Sequence, residues 1–173
     1  MKFSARVWKF PDNINTDLIL PNPAFYLTPE EQAKFVFRAN RPGWAALVQP
    51  GDILISGRNF GMGSSRPAAR SLRNLKLGCL VAESINGLFQ RNSVNFGFPA
   101  LECRGVAAAF EEGDIAEVSF DDYTVSNQRT GTMLKAEPLP EVLVRLIRAG
   151  GLMPLLESEG YLIPKTSPAR RAG

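Results

Sequence analysis

Between Asp52 and Cys103 the chain switches repeatedly between two hydrophobic patterns, and that switching leaves few folds open. Asp52–Ser56, Cys79–Ala82 and Pro99–Cys103 are apolar runs of strand length. Between them, Pro67–Lys76 carries Ala69, Leu72 and Leu75 at helical spacing up to Gly78, and Ile85–Val94 carries Ile85, Leu88 and Phe89. Strand, loop, helix, strand, helix, strand requires crossover connections, which belong to parallel strands in an α/β layer. Ile115–Phe120, Tyr123–Ser126 and Thr132–Ala136, parted by Asp121-Asp122 and by Arg129-Thr130-Gly131, predict an antiparallel section beside it.

The front of the chain adds a strand from Phe3 to Phe10, with Phe3, Trp8 and Phe10 as core residues, and a short strand at Leu18-Ile19-Leu20. Thr28-Pro29-Glu30-Glu31 is a helix start: Thr28 caps, Pro29 takes the first position and Glu31 reciprocates. That helix is expected to run to about Arg38 and to break at Arg41-Pro42-Gly43. Pro140–Arg148 reads as an amphipathic helix packing through Val142, Leu143 and Leu146. The fold expected is mixed α/β, one domain over residues 1–160 followed by a basic tail over 161–173.

Charge narrows the partners. The chain has 20 basic and 17 acidic residues, a net +3, but Lys165, Arg170 and Arg171 fall after the last acidic residue, Glu159. The body is therefore neutral, which argues against a nucleic-acid surface. There is no histidine, so Ser-His-Asp hydrolysis, His-based metal sites and imidazole catalysis are excluded. Cys79 and Cys103 sit in apolar runs and read as buried reduced thiols, too few for an iron–sulfur cluster. No run reaches membrane-spanning length and the N-terminus lacks a signal-peptide core, so a cytoplasmic location is expected.

The chemistry concentrates in Gly57–Arg70, G-R-N-F-G-M-G-S-S-R-P-A-A-R, on the strand-to-helix turn. Three readings stand there. A phosphate cradle would use the N–H groups of Gly61, Met62 and Gly63, yet Arg66 occupies the place of the last glycine in a dinucleotide fingerprint. A carboxylate site would use Arg66 as a fork of donors, with Ser64 or Ser65 as the reactive hydroxyl. A purely structural reading has the glycines turning and the serines capping the helix. Asn15, Thr16 and Asp17 are open to the same two uses, substrate approach or Asx-turn chemistry.

Six elements recur in one order. They are Asp12–Pro21, Tyr26-Leu27, Gly51-Asp52-Ile53, Asn59–Arg66, Arg91–Asn95 and Gly150–Pro154. This set resembles the small-subunit family of 3-isopropylmalate dehydratase, in the aconitase superfamily, over roughly residues 1–156. The resemblance implies a swivelling β/β/α domain that works with a separate large subunit. That subunit carries a [4Fe-4S] cluster, and none is bound by this chain. It further implies reversible dehydration and hydration of a branched hydroxy diacid, as in leucine biosynthesis. Ser64 would be the base, Ser65 and Arg66 would hold a substrate carboxylate, and Gly61, Met62 and Gly63 would form the anion loop. Thr28, after Tyr26-Leu27, would lie on the segment that selects the substrate's side group. Two departures stand out: Met62 replaces the family's cysteine, read as a packing change, and Pro67-Ala68 replaces Glu-His. Related acids such as 2,3-dimethylmalate or homocitrate, and a non-catalytic carboxylate-binding domain, remain open at this stage. So does self-association of the isolated chain.

Overall fold

β1 (Lys2–Phe10) serves two half-sheets at once. Its second half, Val7–Phe10, pairs in parallel with β2 (Ile53–Ser56) in the register Val7 to Ile53. Its first half, Lys2–Arg6, pairs antiparallel with β5 (Ile115–Ser119). β3 (Cys79–Ala82) and β4 (Ala100–Glu102) extend the parallel half. β6 (Thr124–Asn127) and β7 (Met133–Lys135) extend the antiparallel half. The result is one seven-stranded mixed sheet in the order β4-β3-β2-β1-β5-β6-β7. This computed structural model describes residues 1–162. Lys165, Arg170 and Arg171 of the expected basic tail lie outside them.

The parallel strands are buried on both faces, which is why they read as continuous apolar runs rather than alternating ones. Val7, Ile53, Ile55, Val81 and Leu101 point to one core. Trp8, Phe10, Leu54, Leu80 and Ala100 point to the other. The second core holds an aromatic cluster in which Phe10 stacks on Phe37 at 4.1 Å and Trp44 meets Phe37 edge-on at 5.1 Å. Trp8 and Phe10 are buried as expected, whereas Phe3 is only half-buried, with its ring edge against Phe120. Cys79 and Cys103 are free and buried. Burial holds the Cys79 thiol far above its usual range and pushes Cys103 up to about 11, with Glu83 and Glu137 adding to it.

Several elements differ from the sequence expectation, each for a local reason. Leu18-Ile19-Leu20 is not a strand, because α1 (Thr16–Ile19) forms there. Asn15 Oδ1 accepts the Leu18 N–H at 2.8 Å, and the Leu20 N–H closes onto Thr16 O. Next comes a 3-10 turn, Asn22–Tyr26. α2 spans Pro29–Lys34 and stops short of Arg38, because Phe37 takes a left-handed φ of 56° to reach Phe10 and gives its N–H to Ile19 O.

α3 (Ala68–Asn74) follows the glycine loop. α4 (Gly87–Asn95) begins after Ile85, whose backbone bridges to Phe60 instead; Leu88 is half-buried, and Phe89 and Val94 carry the core face. The short α5 (Val106–Ala109) follows. α6 (Glu141–Arg148) buries Val144 and Ile147, while Val142 is exposed. α7 (Leu152–Ser158) was hidden from sequence reading by Gly150-Gly151 and Pro154. Pro154 falls in its first turn, where a missing N–H breaks no helical bond. Among the described residues no helix is long and apolar enough to cross a membrane.

Candidate active site

Two loops leave the same edge of the sheet, one after β1 and one after β2, and they are zipped together by backbone bonds. Asn13 N donates to Arg58 O at 2.7 Å, Gly61 N to Ile14 O at 2.6 Å and Thr16 N to Met62 O at 2.8 Å. This pairing brings Asn13–Asp17 alongside Gly61–Arg66. Gly61 is obligatory in it: at φ +80°, an added Cβ would stand 2.3 Å from Phe89 Cγ. Gly63 turns at φ +108° against Thr16.

Beyond that turn Ser64 is exposed, and its Oγ accepts a hydrogen bond from Arg66 Nε at 3.2 Å. The Thr16 hydroxyl, on a buried residue, lies 3.5 Å from the same Oγ. Arg66 is anchored further by Nη1 donating to Leu20 O at 3.0 Å and by Nη2 facing Asp17 Oδ1 at 2.5 Å. Its side chain is only 14% exposed, and its Cζ sits 5.9 Å from the Phe25 ring centre. Ser64, Ser65 and Arg66 together with Asn22, Phe25 and Tyr26 line an open cleft of about 300 Å³. A guanidinium N–H aimed at a hydroxyl oxygen favours negative charge on that oxygen, and an adjacent hydroxyl can add a second donor.

The other sequence-derived positions sort as follows. The serines do not cap α3; Pro67 takes the cap position, with no side-chain bond there. The Gly61 N–H is spent on Ile14, so it is not a donor to an anion. Met62 is 37% exposed, so it is not a core packing residue; its contribution is the carbonyl that Thr16 binds. Asn15 caps α1 through its side chain and only its backbone pairs with the loop. Thr28 forms the full capping box, its hydroxyl donating to Glu31 Oε2 at 2.9 Å, and it is not among the cleft residues. Those bonds hold the Glu31 carboxyl below its ordinary range. Arg91 is exposed and borders a separate small groove with Leu143 and Leu146.

Sequence reading missed Asn22, Phe25 and the Leu20 carbonyl. It quoted Tyr26 only as part of a motif. The run of Phe25-Tyr26 between prolines was the available signal, since two adjacent large aromatics in a turn have little to pack against.

A larger depression, about 1320 Å³, lies along the same edge between Asp12, Arg58, Glu83 and Glu102. Three of its four carboxylates are already committed to backbone. Glu83 accepts from Gly105 N and Ala107 N, Glu102 from Ile85 N, and Asp12 from Arg58 N. The smaller cleft is the one that holds the Ser64–Arg66 pair.

Comparison with known proteins identifies the family and the fold. Residues 13–104 match the family model described as the aconitase C-terminal domain. The chain is 43% identical over 157 residues to the isopropylmalate/citramalate isomerase small subunit of Methanocaldococcus jannaschii, covering 90% of this chain and 94% of that one. It is 38% identical over 157 residues to the 3-isopropylmalate dehydratase small subunit of Halothermothrix orenii, covering 88% and 94%. Its fold superposes on the crystal structure of a 3-isopropylmalate dehydratase from Methanocaldococcus jannaschii with a TM-score of 0.88 at 28% identity, covering 93% and 96%. With the ordered motifs, the mixed sheet and these matches in hand, the chain belongs to the 3-isopropylmalate dehydratase small-subunit family of the aconitase superfamily.

Proposed function

We propose that this chain is the small subunit of a two-subunit hydro-lyase that dehydrates and rehydrates a branched hydroxy diacid, with isopropylmalate as the first substrate. One observation carries the chemical part of this reading: the Arg66 Nε to Ser64 Oγ hydrogen bond at the mouth of the Phe25–Arg66 cleft. Ser64 Oγ, stabilised as an alkoxide by that guanidinium and the Thr16 hydroxyl, takes the proton from the carbon beside the departing hydroxyl. The C–H electron pair becomes the new C=C bond and the hydroxyl departs with the C–O electron pair as hydroxide; net return of the Ser64 Oγ proton to it makes water and restores the alkoxide. Arg66 and Ser65 hold a substrate carboxylate, and Phe25 and Tyr26 form the apolar wall for its branched group. Asp17 positions Arg66 rather than offering a donor to an anionic substrate.

The iron–sulfur cluster that the family implies does not fit this chain. Among the described residues no group of three or more His, Cys, Asp or Glu side chains is placed to hold a metal ion, and both thiols are buried with raised pKa values. We therefore assign the cluster to the large subunit, whose existence the relatives' names as small subunits support. Buried reduced thiols also support a cytoplasmic setting.

The test is anaerobic co-expression with a cluster-bearing large subunit, followed by a panel of hydroxy diacids. Isopropylmalate and citramalate lead the panel, both appearing in one relative's name. Turnover of either acid by the pair, and by neither chain alone, is the expected result. Turnover by the isolated chain would overturn the reading.

A further inference from the structure

Gln32 is 3% exposed, and its side-chain amide is almost fully used. Its Nε2 donates to Leu27 O at 3.2 Å and reaches Phe25 O at 3.5 Å. Its Oε1 accepts from Arg70 Nη2 at 3.0 Å. A buried amide is costly unless bonded, so this one fixes whatever it bonds.

Arg70 lies on α3, one turn beyond Arg66. Among the described residues no carboxylate pairs with it; its Nε is buried without a partner and its Cζ lies 5.7 Å from the Phe96 ring centre. Asn74, a further turn along α3, donates to Pro29 O at 3.3 Å. α3 thus grips α2 at two points, and α2 grips the backbone on either side of Tyr26. Leu27 packs against the core, but its two aromatic neighbours do little to hold the segment: Tyr26 is 93% exposed and Phe25 50%. Both nonetheless line the cleft that contains Ser64 and Arg66.

We infer that the buried pair Arg70–Gln32 fixes the Phe25–Leu27 segment over the Ser64–Arg66 cleft and thereby sets which substrate side group the cleft accepts. Both are positioning residues, since neither lines the cleft. Their action runs through backbone: α3 begins where the Ser64–Arg66 loop ends, so the distance from the reactive hydroxyl to the aromatic wall is set by one continuous chain of bonds. The specificity part rests on the proposed function of the cleft.

Gln32→Glu separates this role from mere stability. The carboxylate still accepts from Arg70 but cannot donate to the Phe25 and Leu27 carbonyls. In the reconstituted pair, the ratio of kcat/KM for isopropylmalate over citramalate is expected to change about tenfold, with the change falling on KM. In the isolated small subunit, chymotryptic cleavage after Phe25 or Tyr26 is expected to accelerate about tenfold in the variant while the unfolding midpoint stays within a few degrees. An unchanged ratio together with unchanged cleavage overturns the inference. If the wild-type pair turns over neither acid, the proposed function fails, and the cleavage comparison alone decides whether Gln32 holds the segment.

Discussion

Asp17 Oδ1 stands 2.5 Å from Arg66 Nη2, so the guanidinium assigned to the substrate carboxylate already faces a carboxylate of its own chain. The two are unequally placed: Asp17 is 64% exposed and Arg66 14%. An exposed partner contributes little to stability, about 1 kcal/mol or less. Its charge nevertheless opposes an incoming dianion. Asp17→Asn keeps an acceptor for Nη2 and removes that charge. KM for the diacid is expected to fall about threefold, with the unfolding midpoint nearly unchanged. A rise in KM would show that Asp17 aids binding.

Arg66→Lys replaces a three-way anchor by a point charge. Lysine cannot bond Ser64 Oγ, Leu20 O and Asp17 together from the geometry of Nε, Nη1 and Nη2. KM is expected to rise about tenfold in steady-state kinetics of the pair. An unchanged KM would remove the carboxylate contact from the account.

Gly61→Ala tests the loop's architecture. The new Cβ meets Phe89 Cγ at 2.3 Å in a left-handed backbone. A loss of about 2–4 kcal/mol in urea unfolding is expected. Gly113→Ala shares the positive φ but meets nothing within 4 Å, so it reports the backbone cost alone, about 1 kcal/mol. Equal losses at the two positions would mean that Phe89 yields freely.

Asp114 gives the fold an acid limit. Its carboxylate, 5% exposed, accepts from Arg129 Nε at 2.5 Å, Asn127 Nδ2 at 2.6 Å and Glu111 N at 2.9 Å. Chiefly the Arg129 bond, then the Glu111 and Asn127 bonds, hold it well below the usual carboxylate range against the opposing effect of burial. A depressed folded-state pKa stabilises above the unfolded value, near 3.9, and that contribution is lost as pH falls through and below it. Unfolding midpoints measured from pH 6 down to about pH 2 are expected to drop. They should drop less steeply in Asp114→Asn. Parallel curves would exclude Asp114 as a source of the slope.

What sequence reading could and could not reach follows from where the interactions lie. β2, β3 and β4 were legible because strands buried on both faces are mostly apolar and are bounded by turn residues. The Thr28 box was legible because all its partners lie within four residues. α1 was misread because Leu18-Ile19-Leu20 is apolar enough for either state, and the cap on Asn15 decides it. Phe37 left its helix for a stacking partner 27 positions earlier in the chain, which no local pattern contains. In the cleft, Ser64 and Arg66 were readable from one loop. The arrival of Thr16 and Asp17 beside them depends on β1 and β2 being parallel neighbours, and the arrival of Phe25 depends on Gln32 and Arg70 meeting across two helices.

Ser64→Ala in the reconstituted pair is the most direct measurement. Ser64 is exposed and its hydroxyl supports no core contact, so the variant should fold and bind the large subunit like wild type. Turnover of the diacid is expected to fall by about a thousandfold or more while KM changes little. Wild-type turnover in an intact Ser64→Ala complex would contradict the assignment of the base to this chain.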